Sequence, residues 1–357
     1  MNRSVLPTAR WTPDPHEGER GRSQAGYTRG GGTVTAERDE AGRVPRTPRE
    51  SAVSSLYGLS EVALAGVIWG SIAIFVRMVD ASPLVTAFWR KLIPSLVLLV
   101  YLAVCGRLGE LTRFVRSKAL ALGFLSAMAV ANTVFMFWAF TLTQVAVVVF
   151  ISYTGPVFVA VLAPLVMRER FDSRILLPLG LALAGTAVLV SFEGFSLSGD
   201  RSYAAAAMAL CVALTYTGLL LGAKRLLASA TPAIVMCSEN LIAAILLIPV
   251  VVLLPFPVGL RSWLAILIIG FVHTLLPVLL YFSGLRRIRA DRVAVVMYSE
   301  PVSAVLFAAM FLSEPLTVAK ALGGAAIVGA GILVFILEKR SYRNHSKHCE
   351  TGWANGA

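Results

Sequence analysis

Tyr153 to Glu169 reads YTGPVFVAVLAPLVMRE, and Tyr298 to Glu314 reads YSEPVSAVLFAAMFLSE. Laid over each other, Tyr153 meets Tyr298, Pro156 meets Pro301 (301 − 156 = 145) and Glu169 meets Glu314, three identities at one offset. The match extends outward. Gly180 and Gly185 fall on Gly324 and Gly329 at an offset of 144, Trp69 with Arg77 on Tyr216 with Lys224 at 147, and Ser82-Pro83 on Thr231-Pro232 at 149. Offsets that drift by a few residues are those of a duplicated unit whose loops have changed length.

The two stretches are apolar almost throughout, and so is the rest of the chain beyond residue 55. With 57% hydrophobic residues, 15% charged and a mean hydropathy of +0.75, the composition lies outside the range of water-soluble domains. Ten apolar segments are predicted near 58–77, 82–104, 119–140, 145–166, 174–192, 202–223, 232–254, 262–284, 292–312 and 316–337. At 1.5 Å per residue, about 20 residues cross a hydrocarbon core of about 30 Å. The segments are continuously apolar instead of alternating, which predicts helices and not barrel strands. The expected fold class is therefore an all-α polytopic membrane protein with ten transmembrane helices in two five-helix repeats, 56–193 and 200–338. Five is odd, so the second copy enters the membrane from the opposite side and the repeats are inverted.

The net charge of +12 does not describe a nucleic-acid surface, because the basic residues form no patch or stripe. They fall between apolar segments. Arg107, Arg113, Arg116, Lys118, Arg168, Arg170, Arg174, Lys224, Arg225, Arg286, Arg287, Arg289 and Arg292 belong to one side, against Arg77, Arg201 and Arg261 on the other. The basic side is cytoplasmic by the positive-inside rule, which places both termini inside and the chain in the cell's inner membrane. Residues 1–55, rich in Gly, Pro, Arg and Ser, read as a disordered cytoplasmic tail without a secretory signal, and 339–357 as a second tail. Cys105, Cys211, Cys237 and Cys349 are widely spaced and have no His partner at ligand spacing, so neither a disulfide framework nor a metal site is expected.

On Trp69-Gly70-Ser71, Pro83 and Arg90, the Pro156-to-Glu169 module followed by Arg170-Phe171, and EPVSAVLFAAMFLSEPLT from Glu300 to Thr317, the chain resembles the drug/metabolite transporter superfamily, in particular proteins with two EamA-type domains. The resemblance covers residues 58–337. It implies a ten-helix secondary carrier with a cavity between the halves, exporting amino acids, related metabolites or amphiphilic compounds. No lysine-rich cavity motif favours the phosphate or nucleotide-sugar branches.

Within the apolar segments the polar and aromatic residues are few enough to weigh singly. Pro156 and Pro301 each remove a helical hydrogen bond near mid-span, which predicts a kink that is either a static bend or a gate. Arg90 stands 8 residues after Ser82, and Glu239 stands 8 after the matching Thr231. Charges in lipid cost about 2.5–3.5 kcal/mol on insertion scales, so the two either pair or line a substrate cavity; alternatively Arg90 and Lys91 snorkel and Glu239 is structural. Glu300 replaces the glycine found at the matching Gly155, so one half alone is acidic there. A carboxyl group in a poorly solvated cavity holds its proton more tightly, as proton coupling requires. The alternative is that Glu300 fixes the kink. Trp69, Tyr153, Tyr216, Tyr298 and Trp138 suit either a cavity wall or plain aromatic packing. Asn132 and His273 are expected to make interhelical hydrogen bonds, and Glu169 and Glu314 to favour the next helix start.

A membrane-embedded enzyme would gather a nucleophile and base, or metal ligands, on facing helices. Only His273 of the 4 histidines lies in an apolar segment, and no HExxH or GxSxG occurs. That reading and a non-transporting scaffold are the alternatives to a carrier, whose partners would be a small-molecule substrate, the lipid bilayer and protons, with no cofactor and no nucleic acid.

Overall fold

The computed structural model describes residues 25–28, 33–36, 48–143, 145–168, 171–191, 200–311 and 316–354. In chain order the apolar helices are α1 (Val53–Val76), α2 (Pro83–Val104), α3 (Ala119–Leu142), α4 (Val147–Met167), α5 (Ser173–Leu189), α6 (Tyr203–Leu227), α7 (Pro232–Val251), α8 (Leu260–Arg287), α9 (Ala290–Phe311) and α10 (Val318–Lys339). Nine among the described residues are long and apolar enough to cross a membrane; α5 is the shorter one. The chain up to Arg49 forms a separate unit, in which strands β1 (Ala25–Thr28) and β2 (Thr33–Ala36) pair antiparallel with Ala25 opposite Ala36. Residues 1–55, expected as a disordered tail, thus contain this hairpin and the start of a helix at Pro48; the other residues before Pro48 lie outside the described ones. Beyond Lys339 the helix of α10 continues to Ala354.

The helix ends follow from local chemistry. Pro83 and Pro232 open α2 and α7, where a missing N–H costs nothing and the ring presets φ, and the Ser82 hydroxyl accepts from Leu84 N. Gly106, at φ +67°, closes α2: its N–H reaches Ala103 O and that of Arg107 reaches Leu102 O, the paired bonds that end a helix on a left-handed residue.

Packing runs mainly across the duplication. α2 lies on α7, α5 on α10 and α4 on α9, while α3 meets α6 and α7, and α8 meets α1 and α2. Small residues permit the closest approaches. A Cβ on Gly185 would stand 2.7 Å from the carbonyl oxygen of Gly323, and one on Gly323 would stand 2.7 Å from that of Gly185.

The sequence suggested kinks at Pro156 and Pro301, and each of their helices is interrupted just before the proline. α4 is interrupted at Tyr153 and Thr154, and helix resumes over Gly155–Met167. α9 is interrupted at Met297 and Tyr298, and helix resumes over Ser299–Phe311. Pro156 and Pro301 therefore occupy the first turn of a second half-helix, where no intrahelical donor is required. α1 pauses at Ser71, and α8 contains one wider π turn at Phe271–Leu275.

Candidate functional site

A cavity of about 460 Å³ lies at the two interruptions, with walls from α1, α3, α4, α5, α6, α9 and α10. Trp69, Tyr153, Tyr216, Tyr298, Glu300, Pro156 and Pro301 all line it. At one end it reaches Arg77, just past α1, and Lys320, at the start of α10.

Two of the aromatic side chains, Trp69 and Tyr298, are held by their polar ends. Trp69 Nε1 donates to His273 O at 2.8 Å; the usual helical donor to that carbonyl would be residue 277, which is Pro277 and has no N–H. Its indole packs on Tyr281, ring centroids 5.6 Å apart. Tyr298 is fully buried and donates its hydroxyl to Tyr153 O at 2.6 Å. That carbonyl has lost its helical partner, because Val157 N turns back to Thr154 O at 2.9 Å. One interrupted helix is thereby latched to the other.

Ser71 and His273 stand behind this wall. The Ser71 hydroxyl donates to Ile68 O at 2.9 Å and lies 2.8 Å from His273 Nε2. A hydroxyl has one proton, so Nε2 must carry the hydrogen of the second contact. Asn132, on the cavity wall, donates to Val212 O at 3.0 Å and to Thr215 Oγ1 at 2.9 Å, so it bridges α3 to α6 as expected.

Glu300 stands in the first turn of the half-helix Ser299–Phe311, where free backbone N–H groups favour a negative charge. The matching position is Gly155, where a Cβ would stand 2.8 Å from the Tyr216 ring. The first half has no room for an acid.

Arg90 and Glu239 do not line this cavity, and they do not pair. Glu239 Oε1 holds Lys91 Nζ at 2.9 Å, while Arg90 Nε donates to Thr274 Oγ1 at 3.0 Å. Adjacent helical residues point about 100° apart, so α2 turns Lys91 toward α7 and Arg90 toward α8. Glu300 and Glu239 are the acids whose charges reach Arg90. Trp138, which suited either a cavity wall or aromatic packing, is 54% exposed and faces outward. Glu169 and Glu314 lie outside the described residues. The sequence reading passed over Lys320, Ser152 and Thr186 on the wall; Lys320, a charge inside an apolar segment, carried the signal that would have found it. Among the described residues no group of three His, Cys, Asp or Glu is placed to hold a metal ion.

Opposite Arg77 and Lys320, the other end of the bundle is crossed by ion pairs. Arg292 of α9 meets Glu338 of α10 and lies 3.6 Å from Asp172, ahead of α5; Glu338 also accepts from Ser55 of α1. Arg287 pairs with Glu61 at 2.6 Å, and Lys224 Nζ donates to Ile288 O at 2.6 Å.

Comparison with known proteins places this geometry. An uncharacterized transporter of Archaeoglobus fulgidus is 27% identical over 294 residues, 78% of this chain and 96% of that protein. The uncharacterized transporter YxxF of Bacillus subtilis is 22% identical over 300 residues, 83% and 95% of the two chains. A chain of known crystal structure superposes with a TM-score of 0.69 at 20% identity, covering 82% of this chain and 99% of its own, which shows the fold alone. The model of the EamA-like transporter family matches twice, at residues 56–191 and 204–337, and the chain, a multi-pass membrane protein carrying that domain in two copies, belongs to this family.

Proposed function

We propose that this protein is a ten-helix secondary carrier of two inverted repeats that exports small metabolites, namely amino acids or related amphiphilic or cationic compounds, by alternating access with proton coupling at Glu300. The observation that carries the reading is a cavity set where two duplication-related helices are interrupted, with a carboxyl group at one half-helix start. Interrupted helices at matching positions of two halves are where carriers bind substrate.

The contact pattern supports a twofold relation between the halves, which inverted repeats require. Exchanging the halves turns α3·α6 into α8·α1 and α3·α7 into α8·α2, and leaves α2·α7, α4·α9 and α5·α10 unchanged; all of these contacts occur. The ring faces and Glu300 suit an amine or another cation beside an apolar group, and Arg77 and Lys320 stand at the far end of the cavity. Glu300 lies where a half-helix start favours the ion and apolar walls disfavour it, a balance that lets a proton and a cationic substrate compete.

In this reading the ion-paired end is cytoplasmic and shut, and the cavity faces outside. Counterflow of labelled amino acids and cationic compounds in proteoliposomes, with and without a pH gradient, tests it. Saturable exchange that a gradient accelerates is expected. A purified, correctly folded protein that exchanges none of these would overturn the substrate class, and exchange indifferent to pH would overturn the coupling.

A further inference from the structure

Between α2 and α3 the chain forms a helix no apolar segment accounts for, Leu108–Ser117. Gly106 turns the chain into it at the end of α2. Leu111 and Phe114, three apart on one face, are buried against the bundle, and the opposite face is exposed. Its depth is marked by neighbours: Val104 before it is 82% exposed and Leu120 after it 93%. Side chains so apolar and so uncovered belong in hydrocarbon, so the helix lies where acyl chains give way to headgroups.

The charges at that depth do not balance. Residues 107–118 hold Arg107, Arg113, Arg116 and Lys118 against the single acid Glu110, a net charge of 4 − 1 = +3. Glu110 is taken by Arg107, with bonds of 3.0 and 2.7 Å, which keep its carboxyl below the usual carboxylate range, Arg113 adding a smaller attraction. Arg113, Arg116 and Lys118 are exposed, and among the described residues none has an ion-pair partner.

We infer that the exposed face of Leu108–Ser117 with Lys118 is a docking surface for anionic phospholipid headgroups, whose phosphates seat on Arg113, Arg116 and Lys118 while Val104 and Leu120 lie among the acyl chains. The inference stands apart from the transport reading and from the orientation, because it needs only that the helix lie at a bilayer surface. Buried Leu111 and Phe114 tie the headgroup layer to the bundle beside α2, α3 and α7.

The full chain is reconstituted in vesicles of equal phosphatidylglycerol and phosphatidylcholine, extracted with mild detergent, and its retained phospholipid weighed by native mass spectrometry. The native protein should retain phosphatidylglycerol preferentially. Each cation near an anionic surface is worth about fivefold, so the triple variant Arg113→Gln, Arg116→Gln, Lys118→Gln should lose at least an order of magnitude of that preference. Arg261→Gln, which removes a cation from the opposite end, should keep it, and the triple lysine or arginine exchange, which preserves charge, should restore it. The triple variant should melt at the native temperature in detergent alone, since among the described residues these side chains make no hydrogen bond or ion pair and Arg113 adds only a weak attraction to Glu110. Equal retention of both lipids by the native protein, or an undiminished preference in the triple variant, would overturn the inference.

Discussion

At the scale of single residues, the site is organised by carbonyl groups that proline and interrupted helix have released. His273 O takes the indole of Trp69, and Tyr153 O takes the hydroxyl of Tyr298. An acceptor buried without its donor costs about 1–3 kcal/mol, so Tyr298→Phe should lower the melting temperature of the detergent-solubilised protein by several degrees while leaving its volume nearly unchanged. A melting curve indistinguishable from native would mean that the hydroxyl contributes nothing. In the proposed reading, energy coupling rests on Glu300. Glu300→Gln keeps shape and hydrogen bonding and removes the charge cycle, so gradient-driven flux should collapse while exchange at equilibrium survives. Loss of both at normal protein levels would point to binding, and unchanged gradient-driven flux would remove Glu300 from the mechanism.

At the scale of elements, the interruptions in α4 and α9 set the site, and here the sequence was only partly legible. Pro156 and Pro301 marked the right helices, because a missing N–H is written in the residue type. They did not say whether the helix bends or stops, which depends on Tyr298 crossing to Tyr153 O from the other half of the chain. In the same way equal depth suggested that Arg90 and Glu239 meet, but the helical turn that sends Lys91 to Glu239 instead is a matter of packing rotation, and sequence gives spacing without rotation. The short helix Leu108–Ser117 was hidden because its apolar residues are too few for a hydropathy signal. The open question between static bend and gate is now a question about half-helices. Pro301→Ala supplies a donor that competes for Met297 O, now held by Glu300 N at 3.0 Å, and favours continuous helix through α9. Counterflow should slow several-fold with substrate affinity little changed if the interruption moves during transport; equal loss of affinity and rate would make it a fixed support.

At the scale of the whole molecule, the end of the bundle opposite Arg77 and Lys320 is tied by ion pairs. Arg292 and Glu338 are only 6% and 3% exposed, and with Asp172 and Ser55 they join α1, the start of α5, α9 and α10. The proposed alternating access requires this end to part. A buried pair contributes little net stability, but removing Glu338 leaves the buried Arg292 charge less compensated, with Asp172 farther off at 3.6 Å, and a buried charge that loses its partner costs up to about 3–5 kcal/mol. Glu338→Gln therefore acts on the closed arrangement alone, since water can reach Arg292 once the end has opened, and a few kcal/mol is enough to reverse a two-state population. The effect can be read from both faces in a background with Cys105, Cys211, Cys237 and Cys349 replaced. A single cysteine at Met136, on the cavity wall, should react with an impermeant thiol reagent from the side of Arg77 and Lys320, and more slowly once Glu338→Gln is added. A cysteine at Ala294, also on the wall and fully buried, should gain reactivity from the opposite side in the same variant. The double variant Arg292→Gln, Glu338→Gln strands neither of these two charges and should fall between. If both cysteines keep their native rates in Glu338→Gln at normal protein levels, the ion pairs brace the fold and do not gate it.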